Sequence, residues 1–277
     1  MENGNLDFVS FDLLVNFIVL GTVAGCLAGL LGIGGGVILV PLFMWQFKLV
    51  GFDPHTMVHC AFATSLAIII PTAISNTFGH YKQGNVCRQH IFYLAIGGVF
   101  GACVGAWCAS KLSGSTLTLA FGFMLIAVSV KLLTGALSPS TEKRRDQVIM
   151  LLFAGFVGGY FSSFFGIGGG VVAVPLMVIL LRFPIHLAVG NSTALIVVSS
   201  SIGTCAYILT GWESYAFNGG FLGFVYLPAV ALVVPFSLFG AQIGVRLARH
   251  CSHAKMVKAF SLLLVCVGVK MIWSSFG

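Results

Sequence analysis

Charged side chains are scarce in this sequence: 8% of its 277 residues are Asp, Glu, Lys or Arg, against about 25% in an ordinary globular chain. Seven acids and fourteen bases cannot cover the surface of a soluble fold of this length, and a soluble globular protein is excluded. The acids are also absent from the interior of every long apolar run. Glu2, Asp7, Asp12, Asp53, Glu142, Asp146 and Glu213 all lie in loops or at an end. Carboxylates inside a membrane mark cation sites and proton relays, so their absence argues against a pump built on a buried carboxylate. None of the eight cysteines forms a C-x-x-C pair, and most sit within apolar runs. They read as small buried hydrophobes, with no disulfide framework and no metal site. No base precedes the first apolar run, which is the wrong flank for a cleaved signal peptide, so that run is expected to remain as a membrane segment.

What is present instead is hydrophobicity. Apolar residues make up 58% of the chain and mean hydropathy is +1.04. The runs are about 20 residues long, the length of a membrane-spanning helix, where barrel strands would alternate over about ten. The sequence therefore predicts an all-α polytopic integral membrane protein. Ten segments can be marked: Phe11 to Leu31, Val37 to Val50, Met57 to Phe78, Ile91 to Ala109, Thr116 to Ala136, Val148 to Phe165, Val171 to Leu181, Ile185 to Thr210, Phe221 to Val245 and Met256 to Phe276. A polar linker, residues 137–147, separates a first half (1–136) from a second (148–277). The net charge of +7 comes from bases in short loops, which is a topology signal rather than a nucleic-acid surface.

The halves resemble one another. Gly32-Ile33-Gly34-Gly35-Gly36-Val37 with Val40-Pro41-Leu42 recurs as Gly166-Ile167-Gly168-Gly169-Gly170-Val171 with Val174-Pro175-Leu176, 134 residues later (32 to 166). Thr64 and Leu66 match Thr193 and Leu195 at a spacing of 129. Gly101, Ala102 and Gly105 match Gly240, Ala241 and Gly244 at 139. An internal duplication with small loop insertions leaves this pattern. Five segments per half is an odd number, so the second copy enters the membrane the other way up. Loop bases agree with that reading. Lys82, Arg88, Lys143, Arg144, Arg145, Arg182, Arg246, Arg249, Lys255 and Lys258 fall on one side, and only Lys48 and Lys111 on the other. The richer side is cytoplasmic, which puts both termini outside. Val171 to Leu181, eleven residues long, spans about 16 Å as helix and cannot cross a 30 Å core. Each half thus contains a short half-helix after a GIGGG break.

The glycine runs carry the sharpest chemical signal. Helix is disfavoured through Gly34-Gly35-Gly36 and Gly168-Gly169-Gly170, at about 1 kcal/mol per glycine relative to alanine. Broken backbone at membrane depth survives only against protein or a water-filled cavity. A fresh helix start there presents free N–H groups and the positive end of a dipole, which bind anions. Two such breaks on inverted halves suggest a shared midplane site; tight packing through small residues is the other explanation. The spacing of a dinucleotide fingerprint fails, because Val37 and Val171 occupy its last glycine position.

Thr64-Ser65 and Asn191-Ser192-Thr193 lie five to nine residues into the segments that follow. Their donors can replace an anion's hydration, or bond back to their own helices. Ser199, Ser200, Ser201 and Thr204 read as helix packing, and His59, His80, His90 and His186 as interfacial residues without metal-ligand spacing. No cofactor is implied.

At Gly32 to Leu42, Ala63-Thr64-Ser65-Leu66, Gly84-Asn85-Val86 and Gly166 to Leu176, the chain resembles the TauE/SafE sulfite exporter family of bacterial anion permeases. The likeness runs nearly end to end. It implies a multi-pass inner (plasma) membrane transporter exporting sulfite, sulfonates or related sulfur anions. The second half departs from the first at Asn191-Ser192-Thr193-Ala194. The expected partners are a small anion and the lipid bilayer. An integral-membrane enzyme would need a nucleophile, base or metal cluster at one face, and none is evident; a passive anion channel is the remaining alternative.

Overall fold

A computed structural model of the chain describes residues 11–31, 35–53, 56–134, 147–215, 220–248 and 253–274. Most of the 137–147 linker, and Gly34 of the first glycine run, lie outside the described residues. The first half contributes α1 (Phe11–Leu31), α2 (Gly36–Val50), α3 (Met57–Lys82), α4 (Arg88–Ser110) and α5 (Gly114–Leu133). The second contributes α6 (Val148–Phe165), α7 (Gly170–Leu180), α8 (Ile185–Thr210), the single turn α9 (Trp212–Tyr215), α10 (Leu227–Ala248) and α11 (His253–Ser274). Among the described residues five helices, α3, α4, α5, α6 and α8, are long and apolar enough to cross a membrane. The chain is an all-α polytopic membrane protein. Its two short helices, α2 and α7, have 15 and 11 residues and follow the two glycine runs.

Helices from the two halves pack against each other: α1 on α10, α4 on α6, α3 on α8 and α5 on α11. Glycine sets the closeness of these contacts. A Cβ on Gly155 would lie 2.2 Å from the Leu94 carbonyl oxygen, and one on Gly159 2.3 Å from that of Gly98. In the other pair, a Cβ on Gly21 would lie 2.9 Å from the Val233 oxygen and one on Gly25 2.1 Å from that of Ser237. Gly21 and Gly25 stand 134 positions before Gly155 and Gly159, and Leu94 and Gly98 stand 139 before Val233 and Ser237. The partner side repeats in the same way. Gly101 abuts Phe156 and Tyr160, while Gly240, at its matched position, abuts Thr22 and Cys26. Backbone contact of this kind replaces the hydrophobic effect, which drives no association between helices already in lipid.

Outward faces are apolar. On α4, Phe92, Phe100, Val104 and Trp107 are exposed at helical spacing, a stripe that lipid covers. Inward, Phe17, Phe43, Phe47, Phe62 and Phe121 are among the largest fully buried side chains.

One segment departs from the sequence expectation. The run from Phe221 reads as the start of a helix, but the structure gives a two-stranded hairpin, β1 (Phe221–Leu222) antiparallel to β2 (Val225–Tyr226). Gly220 and Gly223 have φ of 82° and 57°, a left-handed backbone that suits glycine and interrupts a helix. Gly223 also presses on the Ile208 backbone, where a Cβ would come within 2.3 Å of the carbonyl oxygen. The helix starts only at Leu227-Pro228, where the proline ring is tolerated in the first turn. Tyr226 then packs on Phe17, Phe47, Phe52 and Phe221 with ring centroids 5.0–6.4 Å apart.

The packing makes a direct prediction. Gly101→Ala and Gly240→Ala force a methyl group onto backbone 2.0–2.3 Å away and should each lose about 1–3 kcal/mol, as over-packing does. Gly79→Ala, with nothing within 4 Å, should be neutral or stabilising by up to about 1 kcal/mol. Detergent-solubilised thermal stability, followed by size-exclusion chromatography, checks this. Equal stability for Gly101→Ala and Gly79→Ala would show that the helix pairs tolerate a wider spacing.

Candidate functional site

The two glycine runs meet. Gly36, the first residue of α2, packs onto the backbone of Ile167: a Cβ there would lie 2.4 Å from its carbonyl oxygen and 2.6 Å from its Cα. Ile167 itself is fully buried. The two helix starts share a geometry. Gly35 caps α2 with φ 71° and ψ −22°, and Gly169 caps α7 with φ 76° and ψ −11°. The Gly35 carbonyl accepts from the N–H groups of Ile38 and Leu39, both at 3.0 Å. The Gly169 carbonyl accepts from Val172 and Ala173 at 3.1 and 2.8 Å. The amides of Gly36, Val37, Gly170 and Val171 therefore precede the first acceptor that their own helices supply, and they form the positive ends of α2 and α7. Gly166 and Gly168, at φ 68° and 79°, complete the second break.

Helices α3, α6 and α8 surround that break. A Cβ on Gly166 would meet the Cα of Phe62 at 2.6 Å, and one on Gly168 would meet Ile69 and Ile196, both at 3.1 Å. Thr64 and Ser65 are wholly buried on α3. The Ser65 hydroxyl lies 3.0 Å from the Phe62 carbonyl and also against the carbonyl of Gly166; with one proton it serves one at a time. Thr64 Oγ1 accepts from the Tyr226 N–H at 3.0 Å, so the hairpin reaches across the halves to this side chain.

The second hydroxyl group is arranged differently. Ser192 donates to the Val189 carbonyl at 2.8 Å and Thr193 to that of Gly190 at 2.7 Å, so both bond back to α8. Asn191 is fully buried and clamps the start of α4. Its Oδ1 accepts from the Cys87 N–H at 3.0 Å, and its Nδ2 lies 3.3 Å from His90 Nδ1. The structure thus joins Gly35, Gly36, Ser65, Gly168, Gly169 and Gly170 around the meeting point of the breaks. It ties Thr64 to the hairpin and Asn191 to α4.

A third polar group borders the second break. A Cβ on Gly169 would come within 2.9 Å of Ser162 Cβ. Ser199 donates to Ser162 Oγ at 2.9 Å, and Ser163 donates to the Ser199 carbonyl at 3.3 Å. The Tyr207 hydroxyl donates to the Ser163 carbonyl at 3.1 Å. All four residues are buried, as are Ser200 and Thr204, whose hydroxyl oxygens have no hydrogen-bond partner. A buried hydroxyl without an acceptor costs about 1–3 kcal/mol. The sequence signal for this seam is Ser162-Ser163 directly before a glycine break. It is weak, because the pairing with Ser199 spans 37 residues and two helices. Among the described residues no three His, Cys, Asp or Glu side chains converge as a metal site requires.

Comparison with known proteins follows the same lines. A family model described as sulfite exporter TauE/SafE matches residues 17–271. A probable membrane transporter protein of Bacillus subtilis is 27% identical, over 96% of this chain and 98% of its own length. Probable membrane transporter proteins of Haemophilus influenzae and Methanocaldococcus jannaschii are 26% and 27% identical, covering 94% and 96% of this chain and 98% of each relative. No solved structure matches. A match through almost every helix, including both glycine breaks, identifies the protein: the chain belongs to the sulfite exporter TauE/SafE family of membrane transporters.

Proposed function

We propose that the protein exports a small sulfur-containing anion, such as sulfite or a sulfonate, through a midplane site between two inverted repeats. The observation that carries the proposal is the packing of Gly36 on Ile167, which places the N-terminus of α2 against the break that precedes α7. Two positive helix ends then serve one anion, and glycine leaves their amides open to close approach. Gly35 and Gly36 with Thr64 and Ser65 form the first-half side of the site. Gly168, Gly169 and Gly170 with Asn191, Ser192 and Thr193 form the other. Asn191 acts there by holding the start of α4, and Ser192 and Thr193 add donors when α8 releases them.

The inverted-repeat reading is supported by matched glycine contacts in the α1–α10 and α4–α6 pairs. Exchanging the halves turns each pair into the other. It also predicts sidedness: the 137–147 linker and the Arg246–Lys258 segment, where α10 ends and α11 begins, face the cytoplasm, with both termini outside. Impermeant thiol reagents, applied to intact cells bearing single cysteines at Lys143 or near Gly277 in a cysteine-free background, should label only the C-terminal site. A cytoplasmic C-terminus would refute the odd-parity repeat.

Gly35→Leu should abolish flux while the protein still reaches the membrane, because its side chain would fill the approach to the amides of Gly36 and Val37. Gly35→Asn, which tolerates a left-handed backbone, should keep part of the flux. Wild-type transport by Gly35→Leu would return this break to a packing role.

The export direction follows from charge. No Asp, Glu, Lys or Arg occurs between Gly36 and Phe47, Met57 and Tyr81, Val148 and Leu181, or Phe183 and Gly211. A neutral site leaves the moving complex with the anion's own charge. An interior-negative potential then favours outward movement by about 2.3 kcal/mol per charge per 100 mV. Vesicles preloaded with sulfite or a sulfonate should release it faster under an inside-negative potassium diffusion potential. Release that ignores the potential and follows a pH gradient would replace electrogenic export by proton-coupled movement.

A further inference from the structure

Hydroxyls within these helices normally find an acceptor one turn back. Thr22 donates to Ile18, Thr77 to Ala73, Ser201 to Val197 and Thr210 to Ala206, all at 2.7–2.9 Å. Ser200 and Thr204 do not, although they are 0% and 8% exposed and their hydroxyl oxygens are sealed from solvent. They lie one turn apart on α8 and one and two turns beyond Ile196, the residue that touches Gly168. Ile196 at the second glycine break and the two hydroxyls beyond it therefore share one side of α8. Ser199, beside them, reaches Ser162, which in turn abuts Gly169, the cap of α7. Depth agrees with a midplane position: Ser200 lies about 22 Å along a 39 Å helix, whereas Asn191 lies about 9 Å along it.

We infer that Ser200 and Thr204 donate hydrogen bonds to the transported anion, together with the amides of Gly170 and Val171, and that the site takes a singly charged sulfur oxyanion in preference to a doubly charged one. The inference rests on the export function proposed above and names the contacts and charge class of that site. Two neutral hydroxyls and a helix terminus match the oxygens of an anion with several acceptors. The desolvation penalty of an ion rises with the square of its charge, and no buried Lys or Arg is present on α3, α6, α7 or α8 to offset a second charge. Methanesulfonate and sulfate differ in that respect while sharing a sulfonyl core.

The full-length protein in proteoliposomes provides the test, with flux of methanesulfonate, sulfite and sulfate read beside thermal stabilisation of the detergent-solubilised protein by each anion. Ser200→Ala and Thr204→Val should each weaken the apparent affinity for methanesulfonate roughly tenfold, as loss of a hydrogen bond to a charged group does. Without ligand, both variants should unfold at or above the wild-type temperature, because an unpaired buried hydroxyl has been removed. Ser201→Ala, whose hydroxyl is held by Val197, should match wild type. Raised thermal stability with unchanged affinity in both variants would overturn the assignment and leave the export function standing. A lower maximal rate at unchanged affinity would also overturn it, by making the pair part of the moving machinery. Sulfate carried as well as methanesulfonate would overturn the charge preference. If wild type neither carries nor is stabilised by any of the three, the export function itself fails and this inference with it.

Discussion

A bilayer interior offers no water to a backbone amide, so each break in a membrane helix must be satisfied by protein or by what the protein carries. This chain accepts two such breaks and sets them against each other. Gly36 rests on Ile167, and α3, α6 and α8 close around the second break through Phe62, Ile69, Ser162 and Ile196. The short helices α2 and α7 exist because a fresh start is needed on the far side of each break. The close pairs α1–α10 and α4–α6 bring the surrounding helices near enough to seal it.

Glycine acts in two distinct ways here. At Gly35 and Gly169 it supplies a left-handed backbone that starts a helix where other residues would be strained. At Gly97, Gly101, Gly155 and Gly159 the backbone is ordinary helix, and what matters is the missing side chain, which lets α4 and α6 touch carbonyl to Cα. The second use is cheap in a membrane, where helix propensity matters less than close packing. The first is costly anywhere, which is why a repeated GIGGG points to function more strongly than the glycine total does.

Much of the fold was legible in the sequence because lipid imposes a length on apolar runs. Phe11–Leu31, Val148–Phe165 and Ile185–Thr210 coincide with α1, α6 and α8. The hairpin at Phe221–Tyr226 was hidden, since its residues are as apolar as a helix and its turn depends on Gly220 and Gly223 meeting Ile208. Site residues divided in the same way. The helix starts at Gly35 and Gly169 follow from local backbone chemistry. The bonds of Asn191 to Cys87 and of Thr64 to Tyr226 cross 104 and 162 residues, and no local pattern encodes such partners. Ser199 reads as packing in the sequence for the same reason: its partners Ser162 and Ser163 lie on α6.

The departures from symmetry give the proposed site its character. At the matched spacings, Ser162 and Ser163 stand opposite Ala28 and Gly29, Asn191 opposite Phe62, and Ser199 and Ser200 opposite Ile70 and Pro71. The backbone breaks are shared equally, whereas the side-chain donors gather in the second half. A perfectly symmetric pair of inverted repeats would present the same site to both membrane faces. Donors gathered on α6 and α8 make the two sides of the proposed site chemically unequal, with Phe62 standing where the second half has Asn191. Such inequality cannot create direction at equilibrium, since binding and release must balance. On the export proposed above, it would set which face releases the anion faster once the membrane potential supplies the bias. On the proposed duplication, the paired helix ends are what the two copies share, and the side chains around them are where the copies diverge.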